Sequence, residues 1–161
     1  MMSVCFCLLL FPGCCFFLFL YSKYSFVLLY IVSEDLVFWR HLPVAIWNDQ
    51  LYDNVAIFTG SATIVNSIPT IVYPGLCSSV DWPACNTGTV FAIALPFDYA
   101  NDRYLVNWTK PSYNPIVENV QRDPSTAWQT VKADEWRFTN YDGLIYTSKV
   151  RSDELFIYYS F

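Results

Sequence analysis

The residues of this chain with types and spacings suited to chemistry are carboxylates and hydroxyls set among aromatics. In "VQRDPSTAW" (Val120–Trp128) an arginine, an aspartate and a proline stand side by side as Arg122, Asp123 and Pro124. Asp-Pro-Ser-Thr is a common turn composition, so Asp123 is either a turn residue or a carboxylate of a sugar-handling site. "FTGS" (Phe58–Ser61) puts two hydroxyls, Thr59 and Ser61, around Gly60, whose bland role is backbone freedom in a β-bend. "WND" ends in Asp49, which reads as a solvated loop carboxylate. The glutamates are Glu34, Glu118, Glu135 and Glu154. His41 is the only histidine and there is no Cys-x-x-Cys pair, which argues against a zinc site. Cys77 and Cys85 can form a disulfide in an oxidising compartment or remain as two thiols; spacing alone leaves both open. Asn107 heads an Asn-x-Thr glycosylation acceptor, "NWT".

The elements that must position these residues belong to a chain of two unlike parts. Residues 1–32 are apolar and carry one charge, Lys23. Residues 33–161 hold the other 8 basic and all 14 acidic residues, a net of −6 with no basic patch, which excludes nucleic acid as a partner. The head is long enough for a signal-peptide core or, over residues 4–32, a membrane span that could be helical. Against both stand the missing positive charge before the apolar run, the Pro12-Gly13 interruption and the lack of a clear cleavage site. The rival reading is non-native sequence, because T-rich non-coding DNA read as codons gives runs of Phe, Leu and Cys.

Beyond the head, short runs rich in Val, Ile, Phe, Tyr and Thr alternate with turn residues. Strands are expected in Val55–Val65 on both sides of Gly60, and over Thr70–Gly75 and Thr89–Pro96. Further strands are expected over Ala127–Val131, Glu135–Asn140 and Leu144–Ser148, with turns at Lys132–Asp134 and Tyr141–Gly143. No 3.6-residue period is sustained there. The expected class is all-β: a sandwich, a barrel or a propeller.

Six segments in order narrow the choice: "SEDLVFWRHLPVAI" (Ser33–Ile46), "YDNVAIFTGSATI" (Tyr52–Ile64), "PTIVYPG" (Pro69–Gly75), "WTKPSYNPIV" (Trp108–Val117), "QRDPSTAW" (Gln121–Trp128) and "EWRF" (Glu135–Phe138). Together they resemble glycoside hydrolase family 32, the invertases and fructan hydrolases, over nearly all of residues 33–161; after Lys149 the resemblance fades. It implies a catalytic five-bladed β-propeller with an axial funnel. The length after the head suits roughly two to three blades, so the expected domains are the head, 1–32, and a partial propeller, 33–161. It also implies cleavage of β-fructofuranosyl bonds with retention, without metal or cofactor. Asp123 would be the transition-state stabiliser, held ionised by a charge-assisted hydrogen bond from Arg122. Pro124 would fix the backbone beside it. Phe58, Thr59, Gly60 and Ser61 would line the substrate site, Phe58 offering an apolar face to the ring.

Two of the family's motifs do not occur. The nucleophile motif, Trp-Met-Asn-Asp-Pro-Asn-Gly, falls where the apolar head lies, and Asp49 does not replace it. No glutamate precedes a cysteine, so the acid/base motif is missing too. The expectation is therefore an inactive fragment of a secreted, vacuolar or wall-bound enzyme acting on sucrose or fructan. The alternative is a non-catalytic, membrane- or wall-associated sugar-binding module; an unrelated β protein is the remaining reading.

Overall fold

The computed structural model describes residues 7–11, 14–20, 27–86, 88–130, 135–151 and 154–159. These residues form strands and connections, without a helix, in three antiparallel sheets. The first sheet runs in chain order through β1 (Cys7–Phe11), β2 (Cys14–Leu20), β3 (Leu28–Ser33) and β4 (Arg40–His41). In the second, β5 (Ala56–Ile57) and β6 (Ser61–Val65) both pair with β7 (Ile68–Leu76). Next comes β8 (Thr89–Pro96), which carries β9 (Trp108–Thr109) and β10 (Val117–Glu118). The third sheet is β11 (Trp128–Gln129), β12 (Glu135–Thr139), β13 (Ile145–Arg151) and β14 (Glu154–Tyr159). Each sheet is an up-and-down meander, the form of a propeller blade. The architecture is the expected all-β partial propeller, with three blades that do not close into a ring among the described residues.

The apolar head departs from the helical expectation. Its described parts are β1 and β2, and β3 takes up its last residues. Phe, Cys, Tyr, Val and Ile favour a pleated surface over a helix, and antiparallel pairing with β3 satisfies the β2 backbone. Among the described residues no helix is long and apolar enough to cross a membrane; residues 4–6 and 21–26 of the suggested span lie outside them.

The central strands explain the continuous apolar runs of the sequence. Side chains of β7 and β8 alternate between two packed faces. Ile71, Tyr73, Val90, Ala92 and Ala94 face one core, shared with Leu28, Val32 and Ile46 of the first blade and its exit. Val72, Phe91 and Ile93 face the other, shared with Phe138 and Tyr146 of the third blade. Both faces are buried, so no polar alternation is required. Phe91 meets Phe138 and Tyr146 edge-on at 5.6 and 5.5 Å, and those two rings stack at 5.1 Å. Burial of a side chain such as Phe91 is worth about 1.5–3 kcal/mol, so this aromatic group helps hold the second and third blades together.

The Tyr141–Gly143 turn forms as expected. Gly143 adopts φ +78 and donates its N–H to the Asn140 carbonyl at 3.0 Å, while the Leu144 N–H reaches Asn140 Oδ1 at 2.9 Å. The Lys132–Asp134 turn lies outside the described residues.

Candidate functional site

The segment at Arg122–Thr126 leads into β11, and Thr59–Ser61 leads into β6. The two meet in a cleft of about 400 Å³ lined by residues 59–61 and 123–126. Strand geometry sends Ser61 and Thr63 to the same face of β6. Ser61 Oγ donates to the Ser125 carbonyl at 2.7 Å, and Thr63 Oγ1 accepts the Ala127 N–H at 2.9 Å. These two bonds stitch the second blade to the entry of the third. Ser125 is also tied to the end of β12: its N–H reaches the Thr139 carbonyl at 2.8 Å, and its Oγ accepts the Thr139 N–H at 2.9 Å. The Arg122 carbonyl accepts the Tyr141 N–H at 3.0 Å. The segment carrying Asp123 is thus anchored on both sides.

Asp123 itself has a left-handed backbone, φ 61, and its side chain remains 48% exposed. A non-glycine residue in that region is uncommon, and aspartate tolerates it better than most. Pro124, next in the chain, is buried. Arg122 differs from expectation. Its Nε lies 3.6 Å from Asp123 Oδ2, and both side chains are largely in solvent. That distance is too long for a hydrogen bond, so the pair is a loose, screened attraction rather than a fixed clamp.

Gly60 is required by space rather than by dihedral freedom. A Cβ there would lie 2.2 Å from the Val72 carbonyl oxygen and 3.0 Å from Tyr73 Cα. The backbone of the Phe58–Ser61 segment presses directly on β7, and the Phe58 N–H bonds the Pro74 carbonyl at 2.9 Å. Phe58 and Thr59 are half-buried.

The other carboxylates are occupied elsewhere. Asp49 is not simply solvated, because Lys110 Nζ binds its Oδ1 at 2.8 Å. Burial alone would raise this carboxyl, but the Lys110 hydrogen bond and charge outweigh it and hold the group below the ordinary aspartate value. Asp49 and Lys110 line a separate recess with Trp47, Gln50 and Trp108. Glu34 pairs with Arg103 at 2.9 Å, Glu118 is exposed on β10, and Glu135 lies 3.6 Å from Arg137. The Glu154 side chain lies outside the described residues. Cys77 and Cys85 are joined by a disulfide. Asn107 is exposed just before β9, its N–H held by Asp102 Oδ2 at 3.2 Å.

One polar cluster was given no role in the sequence analysis. Asp53 is fully buried, and its Oδ2 accepts bonds from Lys110 Nζ at 2.6 Å and Tyr73 OH at 3.0 Å. Its Oδ1 takes the Gln50 N–H at 2.9 Å. Lys110 Nζ also donates to the Trp47 carbonyl. Burial raises the Asp53 carboxyl against the opposing pull of Lys110. Burial, reinforced by the Asp53 charge, pushes the Tyr52 phenol up to about 12 and carries Tyr73 upward as well. Gly75 makes room for this cluster, since a Cβ there would meet Asp53 Cβ at 2.8 Å. The cluster ties the connection before β5 to β7 and β9, and β5 leads straight into Phe58–Ser61. The available sequence signal was that Asp53, Tyr73 and Lys110 fall inside three of the ordered family-like segments, Tyr52–Ile64, Pro69–Gly75 and Trp108–Val117.

Comparison with known proteins agrees with this fold. The family model for the glycosyl hydrolases family 32 N-terminal domain matches residues 27–158, a span that begins before Ser33 and runs past Lys149. An acid beta-fructofuranosidase of Vicia faba is 39% identical over 116 residues, which make up 67% of this chain and 17% of that protein. Acid beta-fructofuranosidase 4, vacuolar, of Arabidopsis thaliana is 38% identical over 116 residues, 67% of this chain and 16% of its own length. The crystal structure of fructan 1-exohydrolase IIa from Cichorium intybus superposes with a TM-score of 0.75 at 27% identity, covering 93% of this chain and 30% of that one. The same enzyme has been solved in complex with 1-kestose. This chain therefore spans about a sixth of the length of these curated relatives.

Proposed function

The chain belongs to glycosyl hydrolase family 32, and we propose that its cleft is the fructosyl-binding wall of a β-fructofuranosidase-type site. The observation that carries this reading is the meeting in one cleft of Thr59–Ser61 with Asp123, joined by the Ser61–Ser125 hydrogen bond between residues 64 apart in sequence. Asp123 is the carboxylate among the lining residues. Half exposed and held at its backbone, it is placed to accept hydroxyl hydrogens of a fructosyl ring. A fixed anionic acceptor of this kind strengthens its bonds as the ring flattens toward an oxocarbenium-like transition state. Thr59 borders the same space, and Ser61 fixes the wall through its own bond.

Cleavage of a β-fructofuranosyl bond with retention needs two further carboxyl groups, about 5–5.5 Å apart. One attacks the anomeric carbon as the leaving oxygen is protonated by the other, which then activates water. This sequence holds neither the nucleophile motif nor the Glu-Cys motif. The chain as written binds fructosyl units without hydrolysing them; in a complete protein of this kind Asp123 stabilises the transition state of sucrose or fructan hydrolysis. A vacuolar, secreted or wall setting suits the Cys77–Cys85 disulfide and an acceptor at Asn107.

The test is titration of the full chain with sucrose and with 1-kestose, alongside an assay for released fructose. Saturable binding without fructose release is expected. Asp123→Asn should weaken binding by about tenfold or more, since a hydrogen bond to a charged acceptor is worth about 1.5–3 kcal/mol. Unchanged binding in that variant would remove Asp123 from the site, and fructose release would show that the missing carboxylates are supplied by residues not identified above.

A further inference from the structure

A second cavity, of about 450 Å³, lies between the β3–β4 connection and Tyr104 of the β8–β9 connection. It shares no lining residue with the Asp123 cleft. It is also remote from it in the sheet order: β1 borders β6, whereas β4 is at the opposite edge of the first blade. We propose that this groove is a separate binding site for a neutral saccharide. The inference does not depend on the role given to Asp123.

Three observations support it. The first is a large aromatic surface held out in solvent by a rigid turn. Phe38 is 79% exposed. Asp35 Oδ1 holds the turn by accepting the Val37 and Phe38 N–H groups at 2.9 and 2.8 Å and the Ser33 hydroxyl at 3.1 Å. Ser33 Oγ in turn accepts the Leu36 N–H at 2.8 Å. These bonds hold the Asp35 carboxyl below its ordinary value, the Phe38 and Val37 amides being the main cause. The held backbone fixes where the Phe38 side chain leaves the chain, which lowers the entropy cost of using it in binding. Phe38 and Trp39 both line the cavity, and their rings offer apolar surface to the C–H face of a sugar ring.

The second observation is the polar inventory. Glu34 Oε1 accepts from Tyr104 OH at 2.9 Å and from Arg103 at 2.9 Å, and the Arg40 guanidinium lies 5.2 Å from the centre of the Tyr104 ring. Carboxylate acceptors and guanidinium donors thus stand side by side. Vicinal sugar hydroxyls, each donor and acceptor at once, match such a mixed array. The third is charge balance. Glu34 and Asp35 offset Arg40 and Arg103, so neither an anionic nor a cationic ligand gains from the local field. A groove of this volume is in the size range of small-ligand sites and has room for a disaccharide-sized segment.

The experiment is titration of the full chain with cello-oligosaccharides, which carry no fructosyl unit for the Asp123 cleft, followed by tryptophan fluorescence and calorimetry. At least one saccharide should bind in the millimolar range. Phe38→Ala and Glu34→Gln should each weaken that binding by about tenfold, about 1.4 kcal/mol. Phe38 is exposed, so its truncation should not disturb the fold, and Glu34→Gln keeps side-chain shape as a second check. Wild-type affinity in both variants, or no saturable binding to the wild type, would each overturn the proposal. Capture of an aromatic-rich peptide in place of any saccharide would do the same.

Discussion

Replacing Lys110 with methionine tests how the connection before the Phe58–Ser61 segment is held. Methionine keeps the length of the aliphatic stem and removes the ammonium. In the native chain Lys110 is 11% exposed and contacts Asp53, which has no exposure at all. The variant leaves that carboxylate buried, with Tyr73 OH and the Gln50 N–H as its remaining donors. Removing one partner of a buried pair costs about 3–5 kcal/mol, because the other charge remains uncompensated. With a denaturant slope of about 2 kcal/mol per molar urea, the midpoint should fall by about 2 M. The control is Asp49→Asn. Asp49 is 60% exposed, so losing its contact with Lys110 should cost under about 1 kcal/mol.

The same variant carries a pH signature. The Asp53 carboxyl is raised in the fold, burial being the largest cause and Lys110 opposing it. A group with a raised folded value keeps its proton longer in the native than in the unfolded chain. Between the unfolded value of 3.8 and the folded one, stability therefore falls as pH rises. Without Lys110 the folded value climbs further and the window extends upward. The deficit of Lys110→Met should be largest at neutral pH and shrink in mildly acid buffer, where Asp53 is protonated. Urea unfolding followed by fluorescence in both buffers measures this. A deficit below about 1 kcal/mol at neutral pH, or one independent of pH, would refute the view that Lys110 neutralises a buried charge.

Three further outcomes follow from the packing. Gly60→Ala places a methyl group against the Val72 carbonyl, where 2.2 Å is available; overpacking of this kind costs about 1–3 kcal/mol, read as a lowered melting temperature together with weaker fructosyl binding. Reduction of the Cys77–Cys85 bridge, or Cys77→Ser with Cys85→Ser, should cost about 2–3 kcal/mol for so short a loop; a melting temperature insensitive to reductant in the wild type would count against a stabilising role. Phe91→Ala removes the ring between two aromatic partners of the third blade and should cost about 3–5 kcal/mol. Hydrogen exchange should then show β12 and β13 losing protection before β7 does.

Much of the architecture was legible along the chain. The runs at Thr70–Gly75 and Thr89–Pro96 are strands because both their faces are buried, and uninterrupted apolar sequence is the direct trace of that. Tyr141-Asp142-Gly143 turns where a glycine is needed at positive φ. The head was harder to read. Length and hydropathy are shared by a signal core, a span and a pair of strands, and only pairing with β3 separates them.

What the sequence determined by itself was local and compositional: strands every ten residues or so, turns at Gly, Pro and Asp, the ordered motifs of a family, and the lack of two of its three carboxylates. Those properties are carried by neighbouring residues and survive in any reading of the chain. Tertiary structure alone decided which residues meet. It brought Ser61 to Ser125, placed Asp123 in the cleft with Thr59 while keeping Arg122 at 3.6 Å, and buried Asp53 against Lys110. It also made Gly60 a matter of space rather than of dihedral angle. Distances across sheets depend on how blades pack around Phe91 and Tyr73, and packing is a property of the whole core that no local stretch of sequence encodes.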